Sequence, residues 1–204
     1  MAFRIHDSVA GGGIDNHARK ASPPVNVETS PWLQIVPATE AHLPAIAERA
    51  GAIWRACYPG IISTGQMDYM LARMYSLDTL REEIRSQGIH YDCLFDGSEL
   101  AGFASYGPTE QPGVFKLHKL YLVVDRHGQG LGSRLLKHCE CETRKLGARR
   151  LILNVNKRNA KAIAVYQRNG FTVVESVVAD IGSGFVMDDY VMAKELAPQP
   201  VDGG

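Results

Sequence analysis

Three glycines at alternate positions, Gly128, Gly130 and Gly132, lie between an apolar run and a helical one in Leu117–Leu136, LHKLYLVVDRHGQGLGSRLL. Glycine lets the backbone turn sharply and approach a ligand without a Cβ in the way. The free N–H groups of the first helical turn then point outward with partial positive charge. Together these features make an anion cradle, and a diphosphate fits it. A Walker loop needs Lys and then Ser or Thr after its last glycine. A dinucleotide fingerprint needs G-x-G-x-x-G, and Ser133 stands where its third glycine belongs. Neither nucleotide motif is met. By itself the glycine triplet also suits a plain strand-to-helix turn.

A second motif follows in Leu151–Phe171, LILNVNKRNAKAIAVYQRNGF. On a helix advancing about 100° per residue, Asn159 and Tyr166 fall within about 20° of each other and share one stripe, from which both reach a single ligand. The competing reading makes Asn159 an N-cap and Tyr166 a buried amphipathic residue. The G-x-G-x-G junction, followed by N-x-x-A-I-x-x-Y-x-x-x-G-F, resembles the two acetyl-CoA signatures of the GNAT N-acetyltransferase superfamily in order and spacing.

The resemblance implies an α/β (α+β) GNAT fold. Its mixed central sheet has about six to seven strands flanked by about four to five helices, with a splayed parallel strand pair holding the cofactor. It implies acetyl-CoA as co-substrate, with the pyrophosphate on the amides of Gly128, Gln129, Gly130, Leu131, Gly132 and Ser133. The pantetheine arm then pairs like an extra strand with Leu122 and Val124, and Asn159 contacts it. Tyr166 matches the tyrosine that protonates the departing thiolate. That task suits a phenol of pKa about 10 beside a thiol of about 8.5. The family usually has Gln or Arg before the first glycine. Here His127 stands there with Arg126 one place earlier, so phosphate contact from that side chain is an open point.

Positioning these groups is the task of the surrounding elements. A strand is expected at Trp32–Val36, then a helix from Thr39 to about Tyr58 opened by TEAH and ended by Tyr58-Pro59-Gly60. Helices at Thr64 to about Met74 and Leu77 to about Gln87 precede strands near Tyr91–Phe95 and Leu100–Tyr106, joined by a DGSE turn. A strand at Val114–Val124, a helix from Gly130 to about Leu146, a strand at Arg150–Val155 and a helix at Asn159–Asn169 follow. Strands at Thr172–Val178 and Phe185–Glu195 finish the pattern, which implies a parallel crossover around the glycine loop. Residues 1–30 carry GGG and SPP without periodicity and read as a disordered extension. Residues 31–197 read as a single domain and residues 198–204 as a flexible tail.

Composition narrows the partners. The 204 residues are 45% hydrophobic with 22 basic and 22 acidic side chains, which suits one well-packed domain without electrostatic bias toward nucleic acid or membranes. No apolar run is long enough for a bilayer and no signal-peptide core is visible, so a cytoplasmic protein is expected. The four cysteines lack metal spacing and the seven histidines are scattered, so reduced thiols and no metal site are expected. GNAT proteins often pair, which makes a homodimer the assembly the resemblance implies.

The stretches YPGIISTGQMDYML and IGSGFVMDDYVMAKEL are most similar to bacterial spermidine/spermine-type N-acetyltransferases. The acceptor region of such enzymes maps to Trp54, Tyr58 and Ile61 and to Phe185, Asp188, Asp189 and Tyr190. Asp188 and Asp189 suit an ammonium, and Trp54 or Tyr58 offers a cation-π face. Against this, Trp54 lies on the expected core stripe, and adjacent aspartates near a hairpin are common solvated turn residues. An ammonium of pKa about 10.4 is neutral in roughly one molecule in a thousand at pH 7, costing about 4 kcal/mol before attack, so a base helps. Where relatives often place Glu, this chain has Lys116 and His118, and His118 is the candidate base. The implied reaction is direct attack of a small amine on acetyl-CoA, with strand amides polarising the carbonyl. Acetylation of a protein N-terminus or lysine, and a non-catalytic acyl-CoA sensor, remain open alternatives.

Overall fold

The computed structural model describes residues 32–197; the expected extension (1–30) and tail (198–204) lie outside the described residues. Strand β1 (Leu33–Pro37) leads through a one-turn 3-10 helix to α1 (Leu43–Cys57), α2 (Thr64–Met74) and α3 (Leu77–Arg85). Then come β2 (His90–Asp96), β3 (Glu99–Pro108), β4 (Val114–Leu122), α4 (Leu131–Lys145), β5 (Arg150–Asn156), α5 (Ala160–Arg168), β6 (Thr172–Gly182) and β7 (Phe185–Glu195). The seven strands form one sheet in the order β1-β2-β3-β4-β5-β7-β6. Its neighbours are antiparallel except β4 and β5, which run parallel with α4 as their crossover. This is the mixed α/β architecture expected, with the parallel pair at its centre.

Helix periodicity explains the two layers. Leu43, Ile46, Ala50, Ile53 and Trp54 bury one stripe of α1 against Met67 and Met70 of α2, Leu80 of α3 and Phe103 of β3. On the other face of the sheet, Leu135, Leu136 and Cys139 of α4 pack on Leu117, Leu151, Leu153 and Met192. Thr39 opens the first helical segment as expected, but a histidine completes the box: the Thr39 amide donates to His42 Nδ1 at 2.9 Å. Ser63 and Ser76 cap α2 and α3 by accepting from the Gln66 and Thr79 amides.

Pairing between β4 and β5 covers only Val114–Leu117 against Arg150–Leu153. Beyond it the two strands part, so β4 from His118 to Leu122 has no strand partner on its β5 side among the described residues. On its β3 side the register shifts, because Ser105 faces Lys119 while Tyr106 faces Leu117. His118 is therefore the extra residue of a β-bulge.

A buried ion pair backs this bulge. Lys119, with its side chain 2% exposed, donates to both Glu83 carboxylate oxygens at 2.8 and 2.6 Å and lies over the rings of Tyr75 and Tyr91. Removing one partner leaves an uncompensated buried charge. Glu83→Gln is accordingly expected to cost about 3–5 kcal/mol in urea unfolding, with the Glu83→Leu/Lys119→Met double variant recovering most of it.

Candidate active site

The glycine loop has the backbone that the spacing implied. Gly128 (φ +78°) and Gly130 (φ +77°) occupy the left-handed region, with no atom within 4 Å of where a Cβ would stand. Gly130 is the N-cap of α4, so the first-turn amides of Leu131, Gly132 and Ser133 open onto that space. The Leu131 side chain points the other way and anchors the helix start among Leu33, Leu94 and Leu122. Asn169 at the end of α5 donates to Ser133 Oγ at 2.9 Å, and Gln129 Nε2 donates to the Asp125 carbonyl at 3.1 Å. Both bonds hold the cradle in shape. Its lining fits an anion bound by backbone amides alone.

The flanking side chains are committed elsewhere. His127 Nε2–H donates to the Leu122 carbonyl at 3.1 Å, and Arg126 pairs with Asp96 at 2.8 Å. His127 therefore serves the loop rather than reaching toward a phosphate. Val124 is not a strand residue: β4 stops at Leu122, and Val124 begins a 3-10 turn whose carbonyl accepts from the His127 amide. The extended edge available to a ligand is thus His118–Leu122, shorter than expected.

Asn159 caps α5 by accepting from the Ala162 amide at 3.1 Å. Its own backbone is not helical (φ −86°, ψ 65°), so the 100° count that put it on the Tyr166 stripe does not apply. Tyr166 packs at 5.9 Å from Phe171, and burial first, then Tyr58 and Cys139, push its phenol above the usual range. Tyr58 approaches from the opposite, α1 side of the sheet, with its hydroxyl 3.5 Å from that of Tyr121. Tyr121 also feels Tyr166 electrostatically. Three phenols from α1, β4 and α5 thus converge where β4 and β5 part. Sequence reasoning missed Tyr121, whose only signal was its alternation with Lys119 on the same strand face.

The acceptor residues separate into distinct environments. Trp54 is 2% exposed and stacks on Tyr58 with centroids 4.6 Å apart, so it belongs to the core and offers no face to a substrate. Ile61 lines the α1–α2 loop, where its carbonyl accepts from Arg158 Nη1 at 3.2 Å. Gln66 Nε2 donates to the Val186 carbonyl and Tyr69 to the Ile181 carbonyl, at 2.8 and 2.7 Å, clasping α2 to the β6–β7 hairpin. Phe185 packs on Tyr69 in that clasp. Asp188 pairs with Lys157, which also lies over the Tyr190 ring. Asp189 is different: it is 7% exposed and its Oδ1 has no partner. Burial, then Asp188, raise its pKa above the usual carboxylate value.

His118 is altered in the opposite direction. The residue is exposed to solvent, yet the surrounding protein desolvates the imidazolium, and the Lys116 and Lys119 ammonium groups disfavour it further. Together these push its pKa down to about 4. It is neutral at pH 7, and its lowered pKa makes it a weaker base toward an ammonium of pKa about 10.4. The fold thus weakens the basicity that singled out His118 in the sequence.

Two hollows of about 460 and 570 Å³ lie elsewhere, around Asp92 and His138 and between α2 and the β6–β7 turn. Among the described residues no group of three or more His, Cys, Asp or Glu is arranged to hold a metal, and all four cysteines are free. No described helix is long and apolar enough to cross a membrane.

Comparison with known proteins agrees with this geometry. A spermidine N(1)-acetyltransferase from Thermoplasma acidophilum is 29% identical over 150 residues, covering 72% of this chain and 89% of that protein. A mycothiol acetyltransferase from Corynebacterium glutamicum is 36% identical over 85 residues, 42% of this chain but only 29% of its own length. The crystal structure of PaiA N-acetyltransferase from Thermoplasma acidophilum in complex with coenzyme A superposes with a TM-score of 0.68 at 26% identity. That match covers 80% of this chain and 98% of the other. Residues 48–171, more than half of the chain, match the acetyltransferase (GNAT) family, and the chain belongs to that family.

Proposed function

We propose that this protein transfers the acetyl group of acetyl-CoA to the primary amine of a small molecule. The observation that carries this reading is the gap between β4 and β5, with an amide-lined cradle at one end and three phenols converging on it. Acetyl-CoA supplies the activated thioester. The amides of Gly128–Ser133 hold its pyrophosphate, and the free edge of β4 accepts the pantetheine arm as an added strand. Its CoA-bound structural neighbour supports that assignment.

Tyr166 keeps its proton at physiological pH because burial raises its pKa, and it donates a hydrogen bond to the departing sulfur. Amides of β4 at the bulge polarise the acetyl carbonyl. Asp189 holds the incoming amine from the acceptor side. His118, neutral and weakly basic, contributes as a wall and hydrogen-bond acceptor rather than as the principal base. On this reading His118→Ala lowers kcat less than about tenfold between pH 7 and 9, because a group of such low pKa supplies little general-base drive. A loss of a thousandfold in steady-state kinetics would restore it as the base.

Kinetics on a panel of amines tests the acceptor class. The spermidine-acetylating relative makes polyamines an obvious member, beside monoamines, amino acids and peptides with free N-termini or lysines. Small amines are expected to have the higher kcat/KM; peptides outcompeting them would move the assignment to a protein acceptor.

A further inference from the structure

The acceptor face of the sheet holds two opposite charges that make no direct contact with a partner, although Lys116 and Lys157 both act on Asp189 at longer range. Among the described residues, neither a hydrogen bond nor an ion pair engages the half-buried Lys116 ammonium, and none engages Asp189 Oδ1. Other buried charges here are compensated: Lys119 by Glu83 and Lys194 by Glu140. Buried charge without a partner is costly and marks a place where a ligand completes the match.

The strand register gives their layout. Lys116 on β4 stands beside Ile152 of β5, and Asp189 on β7 stands beside Asn156 of β5. These positions share one face, opposite the buried Leu151, Leu153 and Val155. Midway between them on the same face is Asn154, a polar, exposed side chain in the middle of the sheet. The backbone positions 152 and 156 are separated by roughly 13 Å of strand, and the long Lys116 stem shortens the gap. The two charges act on each other electrostatically without forming an ion pair. Asn154 of β5 lies between them on the same face.

Direction along this face is also set. Lys116 lies within the paired stretch of β4 and β5, whereas Asp189 stands beside Asn156, beyond the last pair Leu117–Leu153 where the strands part, so the Asp189 end is the reacting end and Lys116 the far end. One cation and one anion are balanced by a ligand carrying one of each. We propose that the acceptor is a zwitterion, a primary amine whose chain ends several atoms away in a carboxylate, with Asp189 holding the ammonium and Lys116 the carboxylate. A diamine of the same length puts its second ammonium against Lys116, a like-charge contact that selects against it. This inference rests on the amine-acetylating reading above and names its substrate class.

Three acceptors of matched length test it: pentylamine, cadaverine and 6-aminohexanoate, each assayed with acetyl-CoA. The wild-type protein is expected to give 6-aminohexanoate a kcat/KM about tenfold above pentylamine, with cadaverine lowest. Lys116→Met should erase the preference for 6-aminohexanoate over pentylamine while leaving the KM for acetyl-CoA unchanged. Lys116→Arg should keep the preference, and Lys116→Glu should turn it toward cadaverine. Turnover of all three amines alike, or cadaverine preferred by the wild type, overturns the zwitterion assignment and leaves amine acetylation standing. No turnover of any of the three amines by protein that binds acetyl-CoA removes the small-amine reading, and this inference with it.

Discussion

Gly130→Val is expected to weaken acetyl-CoA binding by about a hundredfold. Two effects combine. Gly130 has φ +77°, a region that costs a residue with a Cβ about 1–2 kcal/mol and a β-branched one more, so the loop is forced to rearrange at the start of α4. The new side chain also occupies the space that is now open above the first-turn amides. Gly147→Val separates the two contributions. Gly147 has φ +91° and equally open surroundings, but it lies at the opposite end of α4. It should lower Tm comparably while leaving the Kd for acetyl-CoA unchanged. Equal loss of affinity in both variants would assign the effect to general destabilisation rather than to the cradle.

Tyr166→Phe is expected to lower kcat by about 10²–10³ with the Kd for acetyl-CoA within about twofold. The phenyl ring keeps the contact with Phe171, and only the hydroxyl is lost. The pH dependence has a defined sign. A phenol whose pKa is raised above 10 holds its proton, the active form, throughout the physiological range, and loses it only as pH rises past that value. The wild-type kcat should therefore show no alkaline limb from this group below about pH 10. An alkaline limb below pH 10 that disappears in Tyr166→Phe would contradict the buried, protonated phenol; unchanged kcat would remove Tyr166 from the chemistry.

Much of this arrangement was legible in local patterns. The bounds of α2 and β7 follow from apolar spacing and turn residues, and the glycine loop announces its geometry because few other residues tolerate positive φ. What could not be read depended on partners distant in sequence. The bulge that frees His118 exists only in the register of β3 against β4, which a single strand does not encode. The lowered pKa of His118 comes first from desolvation by the surrounding fold, which the strand alone does not reveal, and only then from Lys116 and Lys119, its visible neighbours in sequence. Asp188 and Asp189 look equivalent in sequence, yet strand alternation sends one to Lys157 at the surface and buries the other without a partner. Trp54 had the expected spacing for the core, and Tyr58 covers the face that a substrate would have needed.

The most direct measurement is product analysis by mass spectrometry after incubating the full chain with acetyl-CoA and a mixture of small primary amines, with released CoA thiol quantified in the same samples. The expected result is one or more amines heavier by a single acetyl group, formed in step with CoA release and strongly reduced in Tyr166→Phe. Saturable binding of acetyl-CoA with no acetylated product, from small amines or from added peptides, would contradict transfer and leave an acyl-CoA-binding sensor in its place.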